Sequence, residues 1–262
     1  MSGASLTEQA ASLAIDGACR SLRLPTVRVQ AGPLAEAAVR DRATHLGYLA
    51  EVLAAELEER DGKRRERRIA EARFPRTKRL ADFDLAAAPA IGPAVLAGLA
   101  TLAWVTAGEP VVLIGDPGTG KSHLLTGLGI AACEEGMRVR YVTAAGLVNE
   151  LAEAADDRVL ARTVARYARL DLLCLDELGY VHLDPRGAEL LFQVITERDE
   201  RASIAAASNL PFSEWTSIFP DARLAAAVVD RLTYRAHVIE TGSSSYRLRA
   251  SERSRKGGAA TA

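Results

Sequence analysis

Residues 111–122 read VVLIGDPGTGKS, an apolar run that ends directly in Gly115-Asp116-Pro117-Gly118-Thr119-Gly120-Lys121-Ser122. This is the full G-x-x-x-x-G-K-[ST] spacing, with a strand pattern before it and a helix pattern after it. The glycines let backbone N–H groups turn inward around an anion without Cβ clashes. The helix that follows presents its positive dipole end to the same charge. Lys121 reaches the outer phosphates as a point charge, and the Ser122 hydroxyl suits Mg²⁺. His123, next in line, completes the stretch as a helix residue packing beside the loop. The feature points to a nucleoside triphosphate held by residues 115–123, with Mg²⁺ as its counter-ion.

The chain has 262 residues, enough for one domain of moderate size plus an appendage. Its net charge is −1, so no global field draws it to nucleic acid or to a membrane, and any such affinity has to come from a local patch. Cys19, Cys133 and Cys174 are scattered without metal-ligand spacing, which predicts reduced, buried thiols in a cytoplasmic protein. No signal peptide and no membrane-length apolar run is present; the Ala/Gly-rich stretch at 92–106 reads as a buried helix.

Composition changes near residue 85. Residues 34–75 are rich in Ala, Leu, Glu and Arg, and Leu46, Leu49, Val52, Leu53 and Leu57 fall at helical spacing, which predicts a small helical N-terminal domain over residues 1–80. Pro75 ends any helix there, and 80–92 reads as a connecting segment. Strand patterns at 111–115, 138–143, 170–176, 203–208 and 237–240 then alternate with helical patterns near 121–135, 144–153, 186–199 and 223–234. Such alternation predicts an α/β domain over 81–250, with parallel strands covered by helices on both faces. The polar stretch 251–262 reads as a disordered tail.

A second constellation is Leu172-Leu173-Cys174-Leu175-Asp176-Glu177, an apolar strand ending in two acids. Ligands sit at the carboxyl ends of strands in open parallel sheets, which brings this pair beside the phosphate loop. Asp176 is the candidate metal ligand together with Ser122, and Glu177 the candidate base for an attacking water. An added Glu beside the metal Asp favours hydrolysis over transfer to a metabolite hydroxyl. Asn209, at the end of the 203–208 strand, is placed either to contact the γ-phosphate or to cap a turn. Arg231, closing the helix before the last strand, is either paired internally with Asp230 or Glu240, or is an arginine finger for a neighbouring subunit. Arg223, Arg235 and Arg247 compete for that role.

The combination GDPGTGKSH, LDELGY (175–180), SNLPFSEW (208–215), VVDRL (228–232) and SYRL (245–248) resembles the IstB-type transposition helper ATPases. These are relatives of the DnaC-type helicase loaders within the AAA+ class. ARFPRTKRLADFD (72–84) is similar to the linker of that family into its ATPase domain. The resemblance implies an AAA+ P-loop fold with a five-stranded parallel sheet flanked by helices, and little or no separate lid. It implies ATP as the nucleotide, self-association into a ring or helical oligomer on duplex DNA, and a partner transposase. Lys121, Asp176, Glu177, Asn209 and Arg231 then carry catalysis. The AAASN sensor strand and the first seventy residues depart from the family pattern.

Between Arg60 and Arg79 stand ten basic residues against three acids. A solvated helix face is the bland account. The sharper one is contact with DNA phosphates through Arg64, Arg65, Arg68, Arg73, Arg76, Lys78 and Arg79, independent of sequence and sensitive to salt. The alternatives are a loader of a replicative helicase, a nucleotide switch scaffold with little hydrolysis, and, more remotely, a metabolic phosphotransferase.

Overall fold

The structure, a computed structural model, describes residues 4–243, so the tail from Ser251, Arg247 and the SYRL stretch lie outside the described residues. The chain divides into two compact units, Met1–Glu66 and Arg67–Ala262. Residues 67–80, grouped by composition with the helical module, pack into the second unit, where Ala72 is fully buried.

The first unit holds α1 (Ala4–Leu22), α2 (Pro25–Arg40) and the greater part of α3 (His45–Ala72). Arg23 and Arg42, both with left-handed backbone, end the first two helices. The helix predicted from the spacing of Leu46, Leu49, Val52, Leu53 and Leu57 is present in α3, but most of that stripe is solvent-exposed: Leu46 and Leu57 are 78% and 63% exposed, whereas Val52 is buried. The packed face of α3 instead follows the i, i+4 series Tyr48, Val52, Glu56, Arg60, and its contacts are largely polar. The Tyr48 hydroxyl donates to the Ala31 carbonyl at 2.9 Å. Glu56 is buried, and its Oε2 accepts the Thr26 and Val27 N–H groups at 2.8 and 3.0 Å. Those are the orphan donors of the first turn of α2, so Glu56 caps that helix from another one and meets its positive end. Arg60 donates to Glu56 Oε1 at 2.8 Å and also to the Arg23 carbonyl.

The second unit is built on strands β1 (Val111–Ile114), β2 (Val139–Thr143), β3 (Leu172–Asp176), β4 (Ser203–Ser208) and β5 (His237–Glu240). They form one parallel sheet in the order β2-β3-β4-β1-β5. All five expected strands are present within two residues of their predicted bounds. The register sets Ile114 level with Ser208 and Glu240, so the carboxyl ends of the three strands form a common edge. Side chains sort by period two. Val111, Leu113, Cys174 and Ala205 face α4 (Pro93–Ala100), α5 (Ala103–Thr106) and α6 (Lys121–Glu134). Val112, Leu173, Leu175 and Ala206 face α7 (Ala144–Asp156), α8 (Leu160–Ala168), α9 (Pro185–Arg198) and α10 (Ala222–Thr233). Helix α8 has no counterpart among the predicted helical patterns. The single helix expected at 92–106 is two, broken at Leu102, whose φ is 58°.

Three details lock this frame. The Arg198 guanidinium, buried at the end of α9, donates to the carbonyls of Tyr167, Leu170 and Ser203 at 2.5, 3.0 and 2.6 Å. Burial lowers its pKa to about 10, which leaves it charged at neutral pH. Leu80 and Phe74 of the linker lie against Gly127 and Gly129 of α6, where any Cβ would come within 2.8 and 2.7 Å of them. All three cysteines are free and buried. Burial pushes the Cys133 thiol up to about 12 and raises that of Cys174 as well.

Two stability predictions follow the polar contacts. For Glu56, burial alone would raise the pKa, but the Val27 and Thr26 N–H groups and Arg60 outweigh it and hold the carboxyl below its ordinary 4.5. Its stabilisation is therefore present above about pH 4.5 and lost as pH falls through the folded value. Glu56→Gln is expected to cost about 1 kcal/mol, the difference between charged and neutral hydrogen bonds, and to remove this pH dependence. Hydrogen exchange at the Thr26 and Val27 amides reads both effects. Arg198→Met is expected to cost about 3 kcal/mol or more in chemical denaturation, because it strands several buried carbonyls.

Candidate functional site

The loop between β1 and α6 takes the conformation its glycines permit. Gly115, Gly118 and Gly120 have φ of 154°, 86° and 102°. A Cβ on Gly115 would lie 2.8 Å from the Gly242 carbonyl oxygen, and one on Gly120 would meet the Phe83 ring at 3.0 Å. The loop is anchored to the chain beyond β5: the Asp116 N–H donates to the Gly242 carbonyl at 3.1 Å, and the Thr119 and Thr241 hydroxyls lie 2.6 Å apart. Lys121 opens α6 with most of its surface buried, and its Nζ donates to the Gly115 and Asp116 carbonyls at 2.5 and 2.8 Å. The cation is thus held across the mouth of the loop. His123 packs locally, its ring edge-on to Phe83 at 5.3 Å and its Nε2 3.0 Å from the Arg79 carbonyl.

Asp176 ends β3 buried, with Oδ2 accepting from the Tyr141 hydroxyl and Oδ1 from the Glu177 N–H at 2.8 Å. The buried Tyr141 phenol has its pKa raised, first by burial and then by that carboxylate, so it stays a donor. Glu177 is exposed and has φ of 61°, a left-handed turn that swings it out of the strand line toward the cleft. Such backbone is uncommon outside glycine and recurs at functional sites.

Asn209 follows β4. Ser208 Oγ donates to the Leu210 carbonyl at 2.9 Å and accepts the Leu210 N–H at 3.1 Å, and Trp215 Nε1 donates to the same carbonyl at 3.1 Å. The Ser and Trp of SNLPFSEW therefore fix the turn that aims Asn209. Its side-chain oxygen is buried with no hydrogen-bond partner among the described residues, so it does not serve as a helix cap. It packs against Gly179, where any Cβ would overlap the carboxamide and lie 3.0 Å from Ser208 Oγ. This gives the glycine of LDELGY a steric reason.

These groups share one cleft of about 770 Å³, lined by the phosphate loop, Ser122, His123, Asp176, Glu177 and Asn209. Arg76, Lys78 and Phe83 also line it, so part of the basic segment read as DNA-contacting faces the same cavity as the phosphate loop. The remaining basic residues disperse. Arg79 is ion-paired with Glu134. Arg68 sits 3.7 Å from Glu71 and, with Arg73, lines a different cleft. Arg64 and Arg65 belong to the first unit. Arg231 lies outside the phosphate cleft: it stacks on Phe192 at 4.7 Å and sits 3.6 Å from Asp199, rather than pairing with Asp230 or Glu240. Sequence reasoning missed Tyr141, Phe83, Thr241 and Gly179. Their only signal is position, since a hydroxyl or a glycine in a strand or loop acquires its role through neighbours far along the chain.

The donor set suits a nucleotide phosphate chain. It joins a glycine cradle at a helix N-terminus, a fixed ammonium, a hydroxyl and a carboxylate as hard oxygen ligands, and an unpartnered carboxamide oxygen.

Comparison with known proteins agrees. The family described as IstB-like ATP binding protein matches residues 18–254. An insertion-sequence ATP-binding protein of Sinorhizobium fredii is 39% identical over 229 residues, 87% of this chain and 77% of its own length. The ATP-binding protein of insertion sequence IS5376 from Geobacillus stearothermophilus is 33% identical over 231 residues, 88% of this chain and 92% of its own. Among solved structures, the replication initiator DnaA bound to AMPPCP and single-stranded DNA superposes with a TM-score of 0.52 at 21% identity, over 64% of this chain and 51% of that one, a likeness of AAA+ fold. The cleft, the sheet order and these matches together place the chain in the IstB-like ATP-binding family of insertion sequences, on an AAA+ P-loop fold.

Proposed function

We propose that the protein is an Mg²⁺-dependent ATPase that self-assembles on duplex DNA and acts with the transposase of its own insertion sequence. The observation that carries the catalytic part is the convergence of Lys121, Asp176, Glu177 and Asn209 on one cleft. The loop N–H groups and Lys121 bind the phosphate chain. Ser122 and Asp176 would hold Mg²⁺, which neutralises phosphate charge when bound. Tyr141 orients Asp176, Glu177 orients a water and takes its proton, and Asn209 offers its carboxamide to that water or to the terminal phosphate. The linker ring Phe83 borders the cleft, suited to the base. Arg231, outside its own cleft and held by Phe192 and Asp199, would have to leave those contacts to complete the site of an adjoining copy in a head-to-tail assembly, which would make hydrolysis depend on oligomerisation. The insertion-sequence context of the relatives supports the transposase as partner, and the basic residues between 60 and 79 support backbone contact with DNA.

The test is ATP hydrolysis with and without long duplex DNA at low and moderate salt. Stimulation that fades with salt is expected, and turnover indifferent to DNA would remove the DNA-coupled reading. Lys121→Ala is expected to abolish nucleotide binding. Glu177→Gln should lower turnover by about 10²–10⁴-fold while ATP-dependent assembly persists in light scattering; normal turnover in this variant would displace Glu177 as the base. Gly179→Ala should push the Asn209 carboxamide aside and cut turnover with ATP affinity nearly unchanged.

A further inference from the structure

At the amino ends of β2 and β3, the opposite end of the sheet from the phosphate loop, lies a second cleft of about 470 Å³. It is lined by six arginines, Arg68, Arg73, Arg138, Arg140, Arg166 and Arg169, against two carboxylates, Glu71 and Glu150. They come from the end of α3, from β2, from α8 and from the turn before β3, and the fold gathers them. In a chain of net charge −1 this is a concentrated local field.

Acids hold three of the six arginines: Arg68 lies 3.7 Å from Glu71, Arg138 pairs with Asp171 and Arg166 with Glu150. Asp171 accepts from Arg138 Nη2 at 2.8 Å, from its Nε at 3.2 Å and from its backbone N–H at 2.7 Å. Glu150 accepts from Arg166 and, at 2.6 Å, from the Tyr167 hydroxyl. Arg68 Nε is buried with no hydrogen-bond partner among the described residues. Arg73 and Arg169 are exposed, and neither forms an ion pair among the described residues. The planar guanidinium fork matches phosphate oxygens, and the number of guanidinium groups gathered here exceeds what one small anion needs. The single aromatic ring in the lining, Tyr167, is buried and hydrogen-bonded, so no surface is offered for stacking an unpaired base.

We propose that this arginine cleft binds the phosphodiester backbone of duplex DNA, without reading its sequence. The proposal rests on the DNA reading given above, and it moves the main contact from a linear basic segment to residues 68–169 gathered by the fold. It also assigns Arg138, Arg140, Arg166 and Arg169, which nothing in the linear segment includes.

The test is fluorescence anisotropy of a labelled duplex against the full chain across a salt series, comparing wild type with Arg73→Ala/Arg169→Ala and with Arg201→Ala/Arg223→Ala, which removes equal charge elsewhere. The cleft variant is expected to bind at least tenfold more weakly, with a log–log salt slope shallower by about 2, while the control keeps the wild-type slope. Duplex binding with an unchanged slope in the cleft variant would overturn the proposal and leave the DNA reading standing. No duplex binding by wild type would overturn both. Calorimetry with tripolyphosphate on ADP-saturated protein separates the sources of phosphate: uptake lost in the cleft variant, without duplex binding, would mean a small phosphate ligand and overturn the assignment to DNA.

Discussion

A largely buried ammonium sets the terms for this molecule. Taking the Lys121 cation out of water is costly unless fixed oxygens replace its hydration. The Gly115 and Asp116 carbonyls do so, but only because the loop curls back around the lysine stem. That curl needs the three left-handed glycines, an anchor beyond β5 through Thr241 and Gly242, and a start from a strand paired on both sides. The sheet order follows from the same need. With β1 between β4 and β5, the loop emerges flanked by the ends of both neighbours, and Asp176 arrives from β3, on the far side of β4.

Much of this was legible in the sequence, because the decisive signals are local. Strands with both faces covered read as continuous apolar runs, and the phosphate loop is a contiguous motif. Asp176, Glu177 and Asn209 were found as residues at strand ends, which a parallel sheet brings to one edge. What stayed hidden depends on tertiary neighbours. The leucine stripe of α3 carried the right period but lies off the packed face, where Glu56 and Arg60 make the contacts. The short α8 carries a clear apolar stripe in Leu160, Val164 and Tyr167, but its nine residues give little more than two turns in which to show it. The basic run between residues 60 and 79 looks like one surface, yet Arg68 and Arg73 line one cleft, Arg76 and Lys78 another, Arg79 pairs with Glu134, and Arg64 and Arg65 lie in the first unit. One-dimensional charge density does not say which way a side chain points.

Strand β3 links the two charged ends of the second unit. Asp171, just before it, holds Arg138 in the arginine cleft, and Asp176, its last residue, faces the phosphate loop. Five residues of extended chain separate these roles, roughly 17 Å at 3.3 Å per residue. Both carboxylates are oriented by a partner from the region of β2, Arg138 and Tyr141 respectively. An edge pairing thus positions groups at both ends of the sheet, while Arg198 clamps the start of β3 to the start of β4.

The burial of Cys19, Cys133 and Cys174 has a practical side. A thiol reacts as its thiolate, and Cys133 and Cys174 are held as protonated thiols deep in the core. A cysteine introduced on the surface would meet maleimide dyes with little competition from the native three. Single-site labelling therefore needs no cysteine-free background, and one dye can report from a chosen position in the otherwise wild-type chain.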